Sequence, residues 1–331
     1  MDPLPYNSAM SAREYRPDAL IIGAPKAGTS ALHAALAQHP QIYPSPVKEP
    51  KYFMCWDAPP PAYRGPGDGH SNQEWIWRRE AYQTLFRGAT DDAVRLESTP
   101  FYLYAPTARR RIAEELPAAK LIIIVRDPID RAYSNWMHLW VDGLEPISDF
   151  EAAWRAEDSR VAAGWAPFWH YRRLGRYGEQ LADLLGRVER ERILVLRYWQ
   201  VVSQPNETLN RTARFLGIAE DQITSIPPDN ARRFVEPGVR TSVLGRLIRA
   251  GAAAGTHLPP HVWRQASKPL VSMLQRGGPM QRPKLAPEQR KALIGDCADD
   301  ISLLEQTLGE SFEDWRSVEG RGSFAERTAS A

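Results

Sequence analysis

Short apolar runs of strand length recur along this chain, with longer amphipathic stretches between them. Ala19–Ile22 and Leu121–Val125 are unbroken aliphatic runs, and Ala93–Glu97 and Arg192–Tyr198 read as strands as well. Runs of this kind suit strands covered on both faces, as in a parallel sheet. The intervening periodicity predicts helices over 107–116, 129–141, 149–162, 178–189 and 205–216, the last closed by Gly217. An Ala/Leu-rich helix begins near Thr29. Leu293, Ile294, Ala298, Ile301, Leu304 and Leu308 mark one face of an amphipathic helix over 286–308. Alternation of strands and helices predicts a three-layer α/β fold, a central parallel β-sheet flanked by helices.

Two strand ends carry the candidate chemistry. After Ala19–Ile22 the chain runs Gly23-Ala24-Pro25-Lys26-Ala27-Gly28-Thr29-Ser30 into a helix. A strand, a small-residue loop and a helix N-terminus make an anion cradle, because backbone N–H groups and the helix dipole point at the same spot. The fold is therefore P-loop-like, with Thr29 also placed as a helix cap. The ATPase pattern G-x-x-x-x-G-K-[ST] is not met: Thr29 follows Gly28, and the only lysine is Lys26. The second strand end is Leu121–Val125, followed by Arg126-Asp127-Pro128 and a helix carrying Arg131 and Ser134. A strand-end arginine and a serine in the following helix can hold a second phosphate. A salt bridge from Arg126 to Asp127 or Asp130 is the structural alternative.

These segments resemble the sulfotransferases that use 3′-phosphoadenosine 5′-phosphosulfate (PAPS), closest to the heparan-sulfate sulfotransferase-like branch and its bacterial relatives. The resemblance is carried by Lys26 to Leu32, by Lys48-Glu49-Pro50-Lys51-Tyr52-Phe53 and by Arg126 to Ser134. Glu97 to Tyr102, Gly175-Arg176-Tyr177, Phe215-Leu216-Gly217 and Leu308 to Trp315 add to it. It implies a PAPS donor, adenosine 3′,5′-bisphosphate as product, and a hydroxylated acceptor: a sugar, glycolipid, lipid alcohol or natural product. Lys26, Ala27, Gly28, Thr29 and Ser30 would cradle the 5′-phosphosulfate, with Lys26 assisting the leaving phosphate. Arg126 and Ser134 would hold the 3′-phosphate, completed by Arg233 and Arg240. Glu49 would be the general base, helped by Lys48; a histidine, among His33, His39, His138 and His170, is the alternative base. Thr99, Phe101 and Tyr102 would line the acceptor pocket, with tryptophans such as Trp75, Trp77, Trp136, Trp140, Trp165 and Trp169 as wall or core. A small-molecule P-loop kinase and an inactive nucleotide-binding module are the competing readings.

Composition narrows the setting. Hydrophobic residues make up 43% of the 331 positions and the net charge is +2, which suits an ordinary globular protein and argues against a dedicated nucleic-acid binder. Cys55 and Cys297 are too few for a disulfide framework or a cysteine-based metal site, so no metal is expected and the cytoplasm is the expected compartment. Residues 1–17 lack the apolar core of a signal peptide and read as a loose arm. One domain spans 18–315, and 316–331 is a polar tail. Within the domain, 41–75 is an irregular segment rich in proline, glycine and aromatics, which marks it as functional. Residues 226–283 are an irregular basic segment with short helical pieces near 241–250 and 260–275, expected to close the nucleotide and acceptor cleft.

Overall fold

The structure, a computed structural model, describes residues 15–71, 75–223, 225–227, 235, 238–254, 260–275 and 283–318. Five strands form one sheet: β1 (Ala19–Gly23), β2 (Ile42–Pro44), β3 (Val94–Ser98), β4 (Lys120–Val125) and β5 (Ile193–Arg197). Their order is β2-β3-β1-β4-β5, and every neighbouring pair is parallel. β1 is buried along its whole length and β4 beyond its first residue. That explains their unbroken aliphatic sequence, since neither face meets water. β2 is an edge strand of three residues inside the segment read as irregular, too short to show a period.

The helices are α1 (Thr29–Leu36), α2 (Tyr52–Cys55), α3 (Arg79–Thr84), α4 (Pro106–Glu115), α5 (Pro128–Val141), α6 (Phe150–Arg155), α7 (Glu157–Ala162), α8 (Tyr177–Leu185), α9 (Tyr198–Ser203), α10 (Pro205–Leu216), α11 (Val239–Ala254), α12 (Pro260–Gln275) and α13 (Pro287–Leu308). The helix expected over 149–162 is divided at Ala156 into α6 and α7. The helical pieces expected near 241–250 and 260–275 are α11 and α12, the first longer than expected, and the two pack on each other.

Parallel pairing sends all five strands' C-terminal ends to one edge of the sheet. From β1 the chain passes to β2 and β3 on one side and then to β4 and β5 on the other. Crevices at such a switch of direction are where ligands bind in open α/β sheets. The strand ends deliver the Gly23–Gly28 loop, the Lys48–Lys51 segment, Thr99, Arg126 and Tyr198 to this edge.

A buried ion pair fixes the start of α5. Asp127 caps the helix, accepting from the N–H groups of Ile129 (2.9 Å) and Asp130 (3.1 Å). Arg290 of α13 pairs with Asp127 and with Asp130 (2.8 Å), and donates to the Ser317 carbonyl (2.8 Å). Burial, then Asp130, raise the Asp127 carboxyl to about 6 against the pull of Arg290. Removing one partner of a buried pair strands the other charge, at a cost of about 3–5 kcal/mol. Arg290→Met is therefore expected to lower unfolding stability by that amount at neutral pH, read by urea denaturation. The loss should shrink at acid pH, where Asp127 takes up a proton; a change under about 0.5 kcal/mol would mean the pair is not structural.

Candidate active site

The loop after β1 is shaped to face an anion. Lys26 (φ 67°) and Gly28 (φ 91°) both sit in the left-handed region, where a non-glycine residue is costly and persists only if its surroundings hold it. Gly28, not Thr29, is the N-cap of α1, and no side chain caps its first turn. The N-terminal N–H groups of α1 are therefore left without side-chain acceptors of their own. A side chain at Gly28 would lie 3.2 Å from the Tyr198 ring, so glycine is required by space as well as by φ. Thr29 is buried and Ser30 exposed beside it.

Arg126 joins this loop to the end of β4. It donates to the Lys26 carbonyl at 3.2 Å, and its guanidinium lies 4.5 Å from the Tyr198 ring centroid. Neither Asp127 nor Asp130 takes it, since both belong to Arg290, and among the described residues no carboxylate pairs with it. A half-buried arginine paired with no described carboxylate, beside a helix N-terminus, is a fit for an anionic nucleotide. Ser134 lies in the second turn of α5, half-buried. Arg131 is wholly buried, donating to Asn135 (3.1 Å) and to the Tyr171 carbonyl (2.6 Å). Arg233 and the side chain of Arg240 lie outside the described residues.

Across the β1–β3 crevice stands Glu49. It too has a positive φ, 60°, as does Lys51 at 61°. Its N–H donates to the Ser98 carbonyl (2.9 Å) and Lys48 Nζ donates to its carboxylate at 2.6 Å. Burial pushes the Glu49 carboxyl up, but Lys48, Lys51 and His70 outweigh it and hold it below its ordinary value of 4.5. Glu49 is therefore ionised at neutral pH and able to accept a proton.

The four histidines weighed as bases separate. His33, one turn into α1, hydrogen-bonds Ser98 Oγ at 2.8 Å and so stands beside Glu49. Burial and Lys48 lower it to about 4, which keeps it neutral. His39 is held by the Ala219 carbonyl (2.9 Å) and accepts from the Gln41 N–H. His138 faces Asp142 and Phe168. His170 is tied to Tyr104 and the Trp165 carbonyl. The last three serve the packing.

Beneath the Glu49 segment lies a carboxyl with no exposed surface. Glu97 accepts from Tyr82, from Thr99 Oγ1 (2.7 Å) and from Tyr102 (3.4 Å). Thr99 Oγ1 in turn accepts from the Lys51 N–H (3.4 Å), and the Tyr102 hydroxyl accepts from the Phe53 N–H (3.3 Å). Thr99 and Tyr102 had been expected to line an acceptor pocket. They are instead wholly buried and hold the Lys48–Phe53 backbone from behind, because their hydroxyls are needed by Glu97. Phe101 is buried as well, its ring packing with those of His70 (5.9 Å between centroids) and Phe168 (5.8 Å).

The 41–75 segment adds a group that sequence reading did not single out. Lys51 is buried, donating to Ser71 Oγ at 2.6 Å and lying 3.7 Å from Asp68 and 4.6 Å from the Trp75 ring centroid. Asp68 also accepts from Ser71 (2.6 Å) and Trp75 Nε1 (2.7 Å). Trp136, Trp140 and Trp169 are core residues. The signal for Asp68 was weak, a lone acid among glycines and prolines; only the folded segment sets it against Lys51.

Glu97 makes a checkable prediction. Burial raises its carboxyl from 4.5 to about 7. Between those values the folded chain holds a proton that the unfolded chain has lost, so stability falls as pH rises through that window and levels off above it. Glu97→Gln removes this slope. Relative to the parent, the variant should gain roughly 3 kcal/mol between pH 4.5 and 7.5, followed by urea unfolding across pH. A pH-independent difference would show that Glu97 is ionised in the fold.

Comparison with known proteins bears on this geometry. The Sulfotransferase family model matches residues 17–222. Heparan sulfate glucosamine 3-O-sulfotransferase 6 of Mus musculus is 30% identical over 217 residues, 65% of this chain and 56% of that protein. Heparan sulfate glucosamine 3-O-sulfotransferase 3B1 of Homo sapiens is 28% identical over 208 residues, 63% of this chain and 48% of its own. The chain thus spans about half the length of these relatives. The crystal structure of a sulfotransferase from Alicyclobacillus acidocaldarius superposes with a TM-score of 0.69 at 28% identity, covering 91% of this chain and 99% of that one. With the matched region containing all five strands, the anion loop, Glu49 and Arg126, the chain belongs to the sulfotransferase family.

Proposed function

We propose that this protein transfers the sulfuryl group of PAPS to the hydroxyl of a small-molecule, lipid or carbohydrate acceptor, leaving adenosine 3′,5′-bisphosphate. One observation carries the reading: Arg126 bonds the loop of the anion cradle, so both anion-binding elements share one edge, and Glu49 stands ionised across the crevice. When bound, the donor supplies an electron-poor sulfuryl group, for which catalysis is mostly positioning and charge stabilisation.

Residues 26–30 would hold the 5′-phosphosulfate on backbone N–H groups and hydroxyls, while Arg126 and Ser134 would hold the 3′-phosphate. Glu49 takes the proton from the acceptor hydroxyl as its oxygen attacks. Lys26 neutralises the charge gathering on the departing phosphate oxygen. Lys48 keeps the Glu49 carboxylate ionised and aimed. Lys51, neutralised by Asp68, leaves the acceptor side with aromatic walls at Trp75 and Phe101 rather than an open cation. That favours an uncharged region of acceptor beside the reacting hydroxyl. The kinase reading is disfavoured because β4 ends in Arg126, where a magnesium-binding acid would stand, and no lysine follows Gly28. Among the described residues no cluster of metal-ligating side chains occurs.

Calorimetric titration with adenosine 3′,5′-bisphosphate, against ATP with Mg²⁺, tests the donor. Tight binding of the bisphosphate is expected, weakened about 10- to 150-fold in Arg126→Ala, the loss of a charge-assisted contact. Preference for ATP would return the chain to the kinase class. Glu49→Gln should keep bisphosphate affinity and lose about 10²-fold or more in kcat; unchanged turnover would remove Glu49 as the base and point to His33.

A further inference from the structure

Charge is distributed very unevenly along this nearly neutral chain. From Pro237 to Pro287 there is no Asp or Glu, although the whole chain has 40, while eight of its 42 lysines and arginines fall there. The described core of this stretch is the α11–α12 pair. Its inner side is apolar and fixed: Leu244, Ile248 and Leu274 are buried, with Ile248 and Leu274 facing Gly143, and Arg249 donates to the Gly143 carbonyl (3.1 Å). Its outer side is unusual. Val243 is 52% exposed, Leu247 55%, Val262 40% and Met273 47%. On α11, Val243, Arg246, Leu247 and Ala250 recur at helical spacing on one exposed face. On α12 the exposed face holds Val262, Ala266 and Met273, flanked by exposed Lys268. Four of the six large apolar side chains that stand exposed among the described residues lie on these two helices.

Bare apolar side chains are not what a soluble polyanion requires, and a lone cationic patch does not need them. Basic residues interspersed with exposed aliphatic ones, with no acid to repel phosphate, match an anionic bilayer surface: the cations meet the headgroups and the aliphatic tips enter the interface. No described helix is long and apolar enough to cross a membrane. The pair also adjoins the acceptor side of the site. A side chain at Gly69, between Asp68 and His70, would meet Ala252 of α11 at 3.2 Å. We propose that the outer face of the α11–α12 pair docks on an anionic lipid bilayer and that the acceptor hydroxyl is drawn from a lipid lying in it. The second half rests on the sulfuryl-transfer reading; the first does not.

The test is co-sedimentation of the full chain with vesicles of phosphatidylcholine alone or mixed with phosphatidylglycerol, with soluble heparin as a separate binding partner. Binding to the mixed vesicles is expected, weak on phosphatidylcholine and falling with salt. The double variant Arg246→Glu/Lys268→Glu should lower it about tenfold or more, and Leu247→Ser should lower it without altering the salt dependence. Bisphosphate affinity, measured in parallel, should be unchanged in these variants, which reports an intact fold. No binding to mixed vesicles, binding indifferent to the substitutions, or heparin binding in place of vesicle binding would each overturn the proposal. Loss of bisphosphate binding in the parent would sink the sulfuryl-transfer reading and leave the vesicle result standing.

Discussion

The hydrogen bond from Arg126 to the Lys26 carbonyl ties together parts of the chain a hundred residues apart. It exists because β1 and β4 are adjacent and parallel, so the residues leaving both strands arrive at the same edge. The anion loop is thereby clamped from one side by Arg126 and packed from below by Tyr198, against the bare backbone of Gly28. Arg126 is spared for this because Arg290, from the far end of the chain, neutralises both aspartates at the start of α5. An exchange of ion pairs there would take Arg126 from the crevice and remove one of the ties of α13 to α5.

The opposite wall is organised by a different economy. Glu49 and Lys51 stand in left-handed backbone conformations, which free chains avoid. They are kept there by hydrogen bonds to the β3 end: Ser98 accepts from Glu49, and Thr99 and Tyr102 accept from Lys51 and Phe53. Glu97 anchors those two hydroxyls from within the protein. Burial raises the Glu97 carboxyl to about 7, so it holds its proton on the acid side of neutrality, where the ionised Glu49 nearby then meets no second charge. The two glutamates thus have opposite environments, Glu97 buried among hydroxyls and Glu49 beside Lys48.

The family model covers the region that carries these elements and ends before α11, while the superposition on the Alicyclobacillus acidocaldarius sulfotransferase, covering 91% of this chain, runs on past that boundary. The anion loop, Arg126 and Glu49 lie inside the family model's region. The acid-free helical pair lies beyond the family model's boundary.

Much of this was legible in the residues. Whereas the Lys48-Glu49 pair stood out only through the family resemblance, the aliphatic runs of β1 and β4, the glycines of the loop and Arg126 at a strand end are local signals, because strand burial, loop φ and helix starts depend on near neighbours. The α13 face and the Gly217 cap were read for the same reason. Other features depend on distant parts of the chain. β2 is too short to show a period. The burial of Thr99 and Tyr102 against Glu97 was not legible, because sequence says which strand end a residue follows, not which partner claims its hydroxyl. His33 looked like an ordinary helix residue until β3 brought Ser98 to it. Arg290, Tyr198 and Asp68 had no motif at all. Sequence by itself determined the fold class and the chemical types gathered at the sheet edge, since those follow from periodicity and local backbone preference. Only tertiary structure decided which charges pair, which carboxyl is ionised and which face is left uncovered, since those depend on burial and on neighbours many residues away.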